Sequence, residues 1–122
     1  MFMSKVWLVT GSASGLGRSI AEAILASGDR LVATARDPRR LEDLVKKYGD
    51  QVQTTPLDVA NEAAACAAVQ VAVDAFGRLD FLVNNAGYGD VVPNSERFKA
   101  VVDTNFCGVV NVTRAALPIM RN

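Results

Sequence analysis

Four short runs rich in aliphatic and β-branched residues alternate with four stretches of helical periodicity, and this alternation leaves few folds open to the chain. The runs are VWLVT (6–10) and LVATA (31–35), each read as a buried strand, QVQTTPLDV (51–59), which alternates weakly and reads as a third strand, and DFLVNNAG (80–87), a fourth strand running into a tight loop. Leu16, Ile20, Ala23 and Ile24 recur at helical spacing before Gly28. Asp37 and Pro38 read as an N-cap and first helical residue, followed by a stripe of Leu41, Leu44, Val45 and Tyr48 that Gly49 stops. Asn61 caps a third helix whose stripe is Val69, Ala72, Val73 and Phe76, ended by Gly77. A long helix is expected from about Ser95 to near Pro118. The order β-α-β-α-β-α-β-α predicts an α/β fold with a parallel sheet, right-handed crossovers and helices on both faces. Residues 1–122 are expected to form a single domain.

Composition excludes several functions. Thirteen acidic and 13 basic residues give a formal net charge of zero, so no basic face for nucleic acid is implied. No uninterrupted apolar run approaches membrane-spanning length. With no histidine, imidazole catalysis and histidine metal sites are ruled out. Cys66 and Cys107 fit no metal spacing and read as small core residues in a reducing cytosol, which implies a cytoplasmic protein.

The first strand runs straight into TGSASGLG (10–17), which opens a helix. Glycines crowded at a helix start are costly unless something uses the space left by their missing side chains. A phosphate would do so, because main-chain N–H groups point outward there and the helix dipole favours negative charge. Gly11 permits the tight turn, while Gly15 and Gly17, flanking Leu16, allow close approach of a pyrophosphate and of the strand. Ser12 and Ser14 offer hydroxyls. A merely flexible loop would also be glycine-rich, but the strand before and the helix after favour the dinucleotide reading.

The spacing TGxxxGxG resembles that of the short-chain dehydrogenase/reductase family. The resemblance continues through Asp58-Val59 after the third strand, NNAG (84–87) after the fourth, and Asn105 within TNFCGVVNVTRAALP (104–118). It implies a Rossmann-type three-layer half-domain with about four parallel strands in the order 3-2-1-4. It also implies that Asp58 holds the adenine amino group, that Val59 lies beside the ring, and that Asn85, Ala86 and Gly87 line the ribose side. Asn105 would be the one member present of an Asn-Ser-Tyr-Lys proton relay. Each residue has a plainer role open to it: helix capping or a turn for Asp58, turn chemistry for the asparagines, a backbone-bonded core amide for Asn105. Asn105 falls on the expected sheet-facing stripe of Phe98, Val101, Val102, Val109 and Val112. A buried amide there without a partner would cost about 1–3 kcal/mol.

At the tip of the second strand, Ala35 stands where an acidic residue would grip the ribose hydroxyls of NAD. Arg36 follows, suited to the 2′-phosphate of NADP, although a solvated arginine is the commoner case. NADP is therefore the expected cofactor; Arg39 or Arg40 is open to an assisting role, with plain helix surface the commoner case.

The family's acid/base motif, YxxxK, does not occur: Tyr48 and Tyr88 are followed four residues on by Val52 and Val92. The resemblance thus implies the cofactor-binding half of an oxidoreductase, ending before the catalytic serine, tyrosine and lysine and inactive alone. The parent would transfer hydride between nicotinamide and a small-molecule carbonyl or alcohol. The alternative is a non-catalytic dinucleotide-binding or protein-interaction module. The loop at 87–98 looks shorter than the family's. An open apolar edge at 80–84 and a second stripe of Phe106, Val110, Thr113 and Leu117 predict a homo-oligomer.

Overall fold

In a computed structural model, residues 4–86 and 107–120 are described. The elements are β1 (Val6–Val9), α1 (Gly15–Ala26), β2 (Arg30–Ala35), α2 (Glu42–Tyr48), β3 (Val52–Pro56), α3 (Glu62–Phe76), β4 (Phe81–Val83) and α4 (Gly108–Met120). A 3-10 turn over Pro38–Leu41 leads into α2, so the second helical stretch is split rather than continuous. The strands form one parallel sheet in the order β3-β2-β1-β4, as expected. The helix segment expected from Ser95, with Phe98, Val101, Val102, Asn105 and Phe106, lies outside the described residues.

Alternation along the strands sorts side chains between two cores. Leu8 is in register with Val32 and Leu82, and Val6, Leu8 and Val32 face α3 and α4. Val9, Leu31 and Ala33 face α1 and α2 with Ile24, Leu25, Leu41 and Leu44. The two central strands are therefore buried on both sides, which is why they read as unbroken aliphatic runs. Asp37 and Asn61 cap as expected, accepting from the N–H of Arg39 and Ala64 at 3.1 and 3.0 Å. Gly77 closes α3 in the left-handed region at φ +76°.

Several expectations need correction. The buried face of α1 is Gly17, Ala21, Ile24 and Leu25, and Leu16 is 69% exposed. The apolar stripe was set one residue off because a glycine, Gly17, makes the closest contact with the sheet, and glycine carries no hydropathy signal. Val45 is exposed, since Leu41, Leu44 and Tyr48 already fill the space under α2. Cys66 is exposed rather than a core residue, and Cys107 is half-buried; α3 seats alanines against α4 instead, with Ala65, Ala68 and Ala72 buried alongside Val112 and Ala116. The last helix ends at Met120, near Pro118 as expected. No helix among the described residues is long and apolar enough to cross a membrane.

Two aspartates hold the entrance to β1. Asp29 accepts from Lys5 N–H at 3.0 Å and from the Trp7 indole at 2.9 Å. Asp80 accepts from Val6 N–H at 2.8 Å and from the Arg78 guanidinium at 2.7 Å, while its own N–H donates to Val6 C=O at 2.9 Å. Partial burial works against the Asp80 carboxylate, but Arg78 and the Val6 N–H outweigh it and hold its pKa below the ordinary value. The stabilisation is therefore present above the unfolded pKa and is lost as pH falls from about 4 through the lower folded value. Asp80→Ala should cost about 1.5–3 kcal/mol at neutral pH. Urea melts at pH 7 and pH 3 should show the gap between wild type and variant shrinking at the lower pH.

Candidate functional site

Three chain segments converge at the carboxyl ends of the strands. The first is the glycine turn after β1. Gly11 and Gly15 have φ of +69° and +60°, conformations that glycine adopts without penalty. A Cβ at Gly15 would meet nothing within 4 Å, so the cradle over it is open. One at Gly17 would lie 1.9 Å from the Gly11 carbonyl oxygen and 2.4 Å from Asn85 Nδ2, which makes glycine obligatory there. Ser14 is the extended N-cap of α1 and its side chain makes no capping bond. The first turn of α1 also carries no acidic residue, whereas α2 begins with Glu42 and Asp43 and α3 with a bonded Asn61 and Glu62. The positive end of α1 is thus left uncompensated at the cradle. Leu16 projects from this turn, exposed.

Ser12 does not offer its hydroxyl to the cradle. It is fully buried, its Oγ donates to Val9 C=O at 2.8 Å and accepts from Thr34 N–H at 3.3 Å, and its own N–H donates to Thr34 C=O at 2.8 Å. Its polar groups serve the turn, because the chain must satisfy them as it leaves the sheet.

The second segment follows β4. The Thr10 hydroxyl accepts from the N–H groups of both Asn85 and Ala86, each at 2.9 Å. Asn85 Nδ2 donates to Gly11 C=O at 3.2 Å, so the two loops are clamped together by side chains on both sides. Asn84 Nδ2 donates to Thr113 Oγ1 at 3.2 Å and ties the same loop to α4. Gly87 lies outside the described residues.

The third segment is the tip of β2. Ala35 is buried, and Arg36 is exposed with no ion pair among the described residues. Gly11, Ala13, Ser14, Ala35, Arg36, Asp37 and Arg40 line a cleft of about 210 Å³, joining the glycine turn to the strand tip. Asp37 is held by Arg39 through a side-chain pair at 2.9 Å, which lowers its pKa and raises that of Arg39. Arg18 pairs with Asp43 and Glu22, raising its pKa, and is therefore occupied in fixing α1 to α2. Beside this cleft, Leu57 N–H donates to Ala35 C=O at 2.9 Å and leads into Asp58 and Val59. Asp58 is exposed, and its Oδ1 accepts from Ala60 N–H at 3.0 Å. Val59 is buried in the core.

The structure therefore brings together Gly11, Ser14, Gly15, Leu16, Gly17, Arg36, Asn85 and Ala86, with Asp58 and Val59 at the next strand end. Sequence reasoning missed Thr10, Gly108 and Asn111. Thr10 carried a signal, a hydroxyl at the last position of a buried strand. Gly108 and Asn111 carried none, because their contacts are with Val59, far off in sequence.

The open glycine cradle and the uncompensated start of α1 fit a dinucleotide diphosphate. Comparison with known proteins agrees with that chemistry. The family model for short chain dehydrogenases matches residues 5–122. Oxidoreductase BOA17 of Botryotinia fuckeliana is 44% identical over 124 residues, covering 98% of this chain and 45% of that protein. A crystal structure of 3-ketoacyl-(acyl-carrier-protein) reductase from Brucella melitensis complexed with NADH superposes with a TM-score of 0.88 at 36% identity, covering 94% of this chain and 50% of that one. A metagenomic short-chain oxidoreductase in complex with NADP gives 0.87 at 30% identity, covering 97% and 57%. The chain spans about half the length of the curated relatives it matches. From its glycine turn to its last helix, the chain belongs to the short chain dehydrogenase family.

Proposed function

We propose that this chain binds NADP(H) across the carboxyl ends of β1, β2 and β4 and serves a short-chain oxidoreductase. That reaction would move hydride between nicotinamide and a small-molecule carbonyl or alcohol. The observation that carries the reading is the single cleft holding Gly11 and Ser14 beside Ala35 and Arg36. The cradle of Gly11, Gly15 and Gly17 would receive the diphosphate on main-chain N–H groups, with Ser14 adding a hydroxyl. Arg36 would pair with the 2′-phosphate, and Ala35 leaves no carboxylate to repel it. Asp58 and Val59 would take the adenine, and Asn85, Ala86 and Gly87 the ribose side. Bound there, the cofactor would supply or accept the hydride. Asn105 is assigned to the proton relay on family resemblance alone. The relatives' cofactors differ, NADH in one and NADP in the other, so the choice of NADP rests on Arg36 and Ala35. Exposed, free Cys66 suits a reducing compartment such as the cytoplasm.

A second reading is a module that binds a dinucleotide without turnover, a role that the glycine cradle and the cleft would serve unaided. The two readings share the cofactor site. Under either reading these residues by themselves should not oxidise NADPH; the readings separate on whether oxidation of NADPH by a panel of carbonyl compounds appears when the chain is joined to the C-terminal half of a related short-chain dehydrogenase, which the first expects and the second does not. We also propose self-association. Among the described residues β4 pairs on one side only, with Phe81 42% exposed, and Leu117 on α4 is 40% exposed.

Titration calorimetry with NADP and NAD tests the cofactor choice. Arg36→Ala should weaken NADP about tenfold, the loss of one charge-assisted pair at an exposed site, and leave NAD within about twofold. Equal loss for both would remove Arg36 from recognition. The two glycines should separate by mechanism. Gly17→Ala forces a methyl onto a main-chain oxygen and should cost about 3 kcal/mol or more in a urea melt. Gly15→Ala strains only φ, about 1–2 kcal/mol, yet fills the cradle and should weaken both dinucleotides by about tenfold or more. Light scattering at micromolar concentrations should report a dimer or larger; a clean monomer would refute self-association.

A further inference from the structure

We infer that Asn111 and Gly108 of α4 are positioning residues for the base-binding edge of the cofactor site. The inference rests on the reading that Asp58 and Val59 meet the adenine. Val59 follows β3 as a buried residue whose carbonyl accepts from the Asn111 side chain, with Nδ2 3.1 Å away. A Cβ at Gly108 would stand 2.4 Å from Val59 Cγ2 and 2.9 Å from its Cβ, so the α4 backbone is packed directly on that side chain. Val59 is thus fixed through its carbonyl and its isopropyl group by one turn of α4.

The consequence falls on Asp58. Its carbonyl accepts from Asn61 N–H at 2.9 Å and its Oδ1 from Ala60 N–H at 3.0 Å, closing a tight turn that ends on Asn61, the N-cap of α3. Leu57 N–H, one residue earlier, is tied to Ala35 at the β2 tip. Asp58 is therefore bracketed by two fixed residues, Leu57 and Val59. Its Oδ2 takes no hydrogen bond among the described residues and is left for an exocyclic amino group. An exposed carboxylate, which can only accept, discriminates these bases only if its position is fixed, because a mobile one swings from the amino group of adenine to the ring N1–H that hypoxanthine carries beside its carbonyl. Asn111 supplies that fixity through the Val59 carbonyl and is not among the residues that line the cleft at the β2 tip.

The test compares the tighter-bound of NADP and NAD with its hypoxanthine counterpart, in which the adenine amino group is replaced by oxygen. Wild type should prefer the adenine form by about tenfold, the worth of one hydrogen bond to a charged acceptor. Asn111→Leu should reduce that ratio to about one- to threefold while the hypoxanthine form still binds on the glycine cradle. Asn111→Ser, which shortens the donor without adding an apolar group, reads the same ratio if the leucine variant does not melt cooperatively. A wild-type preference that survives in the variants overturns the inference and leaves the cofactor reading intact, even if the melting temperature falls. No wild-type preference overturns both the inference and the assignment of Asp58. No wild-type binding of either dinucleotide overturns the cofactor reading itself, and the inference with it.

Discussion

The carbonyl oxygen of Gly11 occupies the space that a side chain at position 17 would need. That one contact decides how near α1 can come to the end of β1, and so where the helix begins relative to the crevice. With the helix pressed in, Gly11 and Gly15 are both driven to positive φ, since the chain must reverse direction within a few residues of Val9. The same oxygen accepts from Asn85, so the loop after β4 is located by the turn after β1. Thr10 completes the clamp through two N–H groups of that loop. Turn and loop then share one geometry and do not have to be ordered separately, which reduces the conformational entropy lost on binding.

What the chain satisfies internally, and what it leaves open, shows a division of labour among its helices. α3 begins with a bonded asparagine and an acid, and α2 with two acids, each suited to its own N–H groups and dipole. α1 has neither, and its N-cap serine is extended with an unbonded side chain. In a helix of ordinary length this omission costs stability, roughly 1 kcal/mol for a missing cap. It is offset elsewhere: Ser12 and Thr34 satisfy the polar groups of the turn where it is buried.

The fold was legible because β1 and β2 are buried on both faces and so read as aliphatic runs, and because Asp37, Asn61 and Gly77 mark helix ends by local chemistry. The glycine turn was legible for the same reason: glycine at positive φ is a backbone requirement that sequence displays directly. Helix faces were less so. Leu16 and Val45 look like core residues by period, yet the contacts they would have made belong to Gly17 and Leu44. Cys66 was misread because α3 meets α4 through alanines, and small-residue packing gives a weak periodic signal. Gly108 and Asn111 were invisible for a different reason. Their meaning lies in a contact with Val59, and no local pattern records which distant residue a glycine makes room for.

Charge at the tip of β2 follows from a competition that Asp37 could have tilted the other way. A carboxylate lining the same cleft as Arg36 would oppose a second phosphate by simple repulsion, and at exposed sites such terms are modest but real. The carboxylate is already committed. It caps the 3-10 turn through Arg39 N–H and pairs with the Arg39 guanidinium on both oxygens, at 3.0 and 3.3 Å from Nε. Asp37 and Arg39 thus cancel as a local pair. Arg18 is spent on Asp43 and Glu22, outside the cleft. Among the described residues, the charges left without an ion pair along this wall are those of Arg36 and Arg40, both positive, beside the positive end of α1. On the proposed cofactor site, a ligand with one phosphate group near the helix and another near the strand tip would meet attraction at both ends; one bearing only ribose hydroxyls at the tip would meet it at the helix alone.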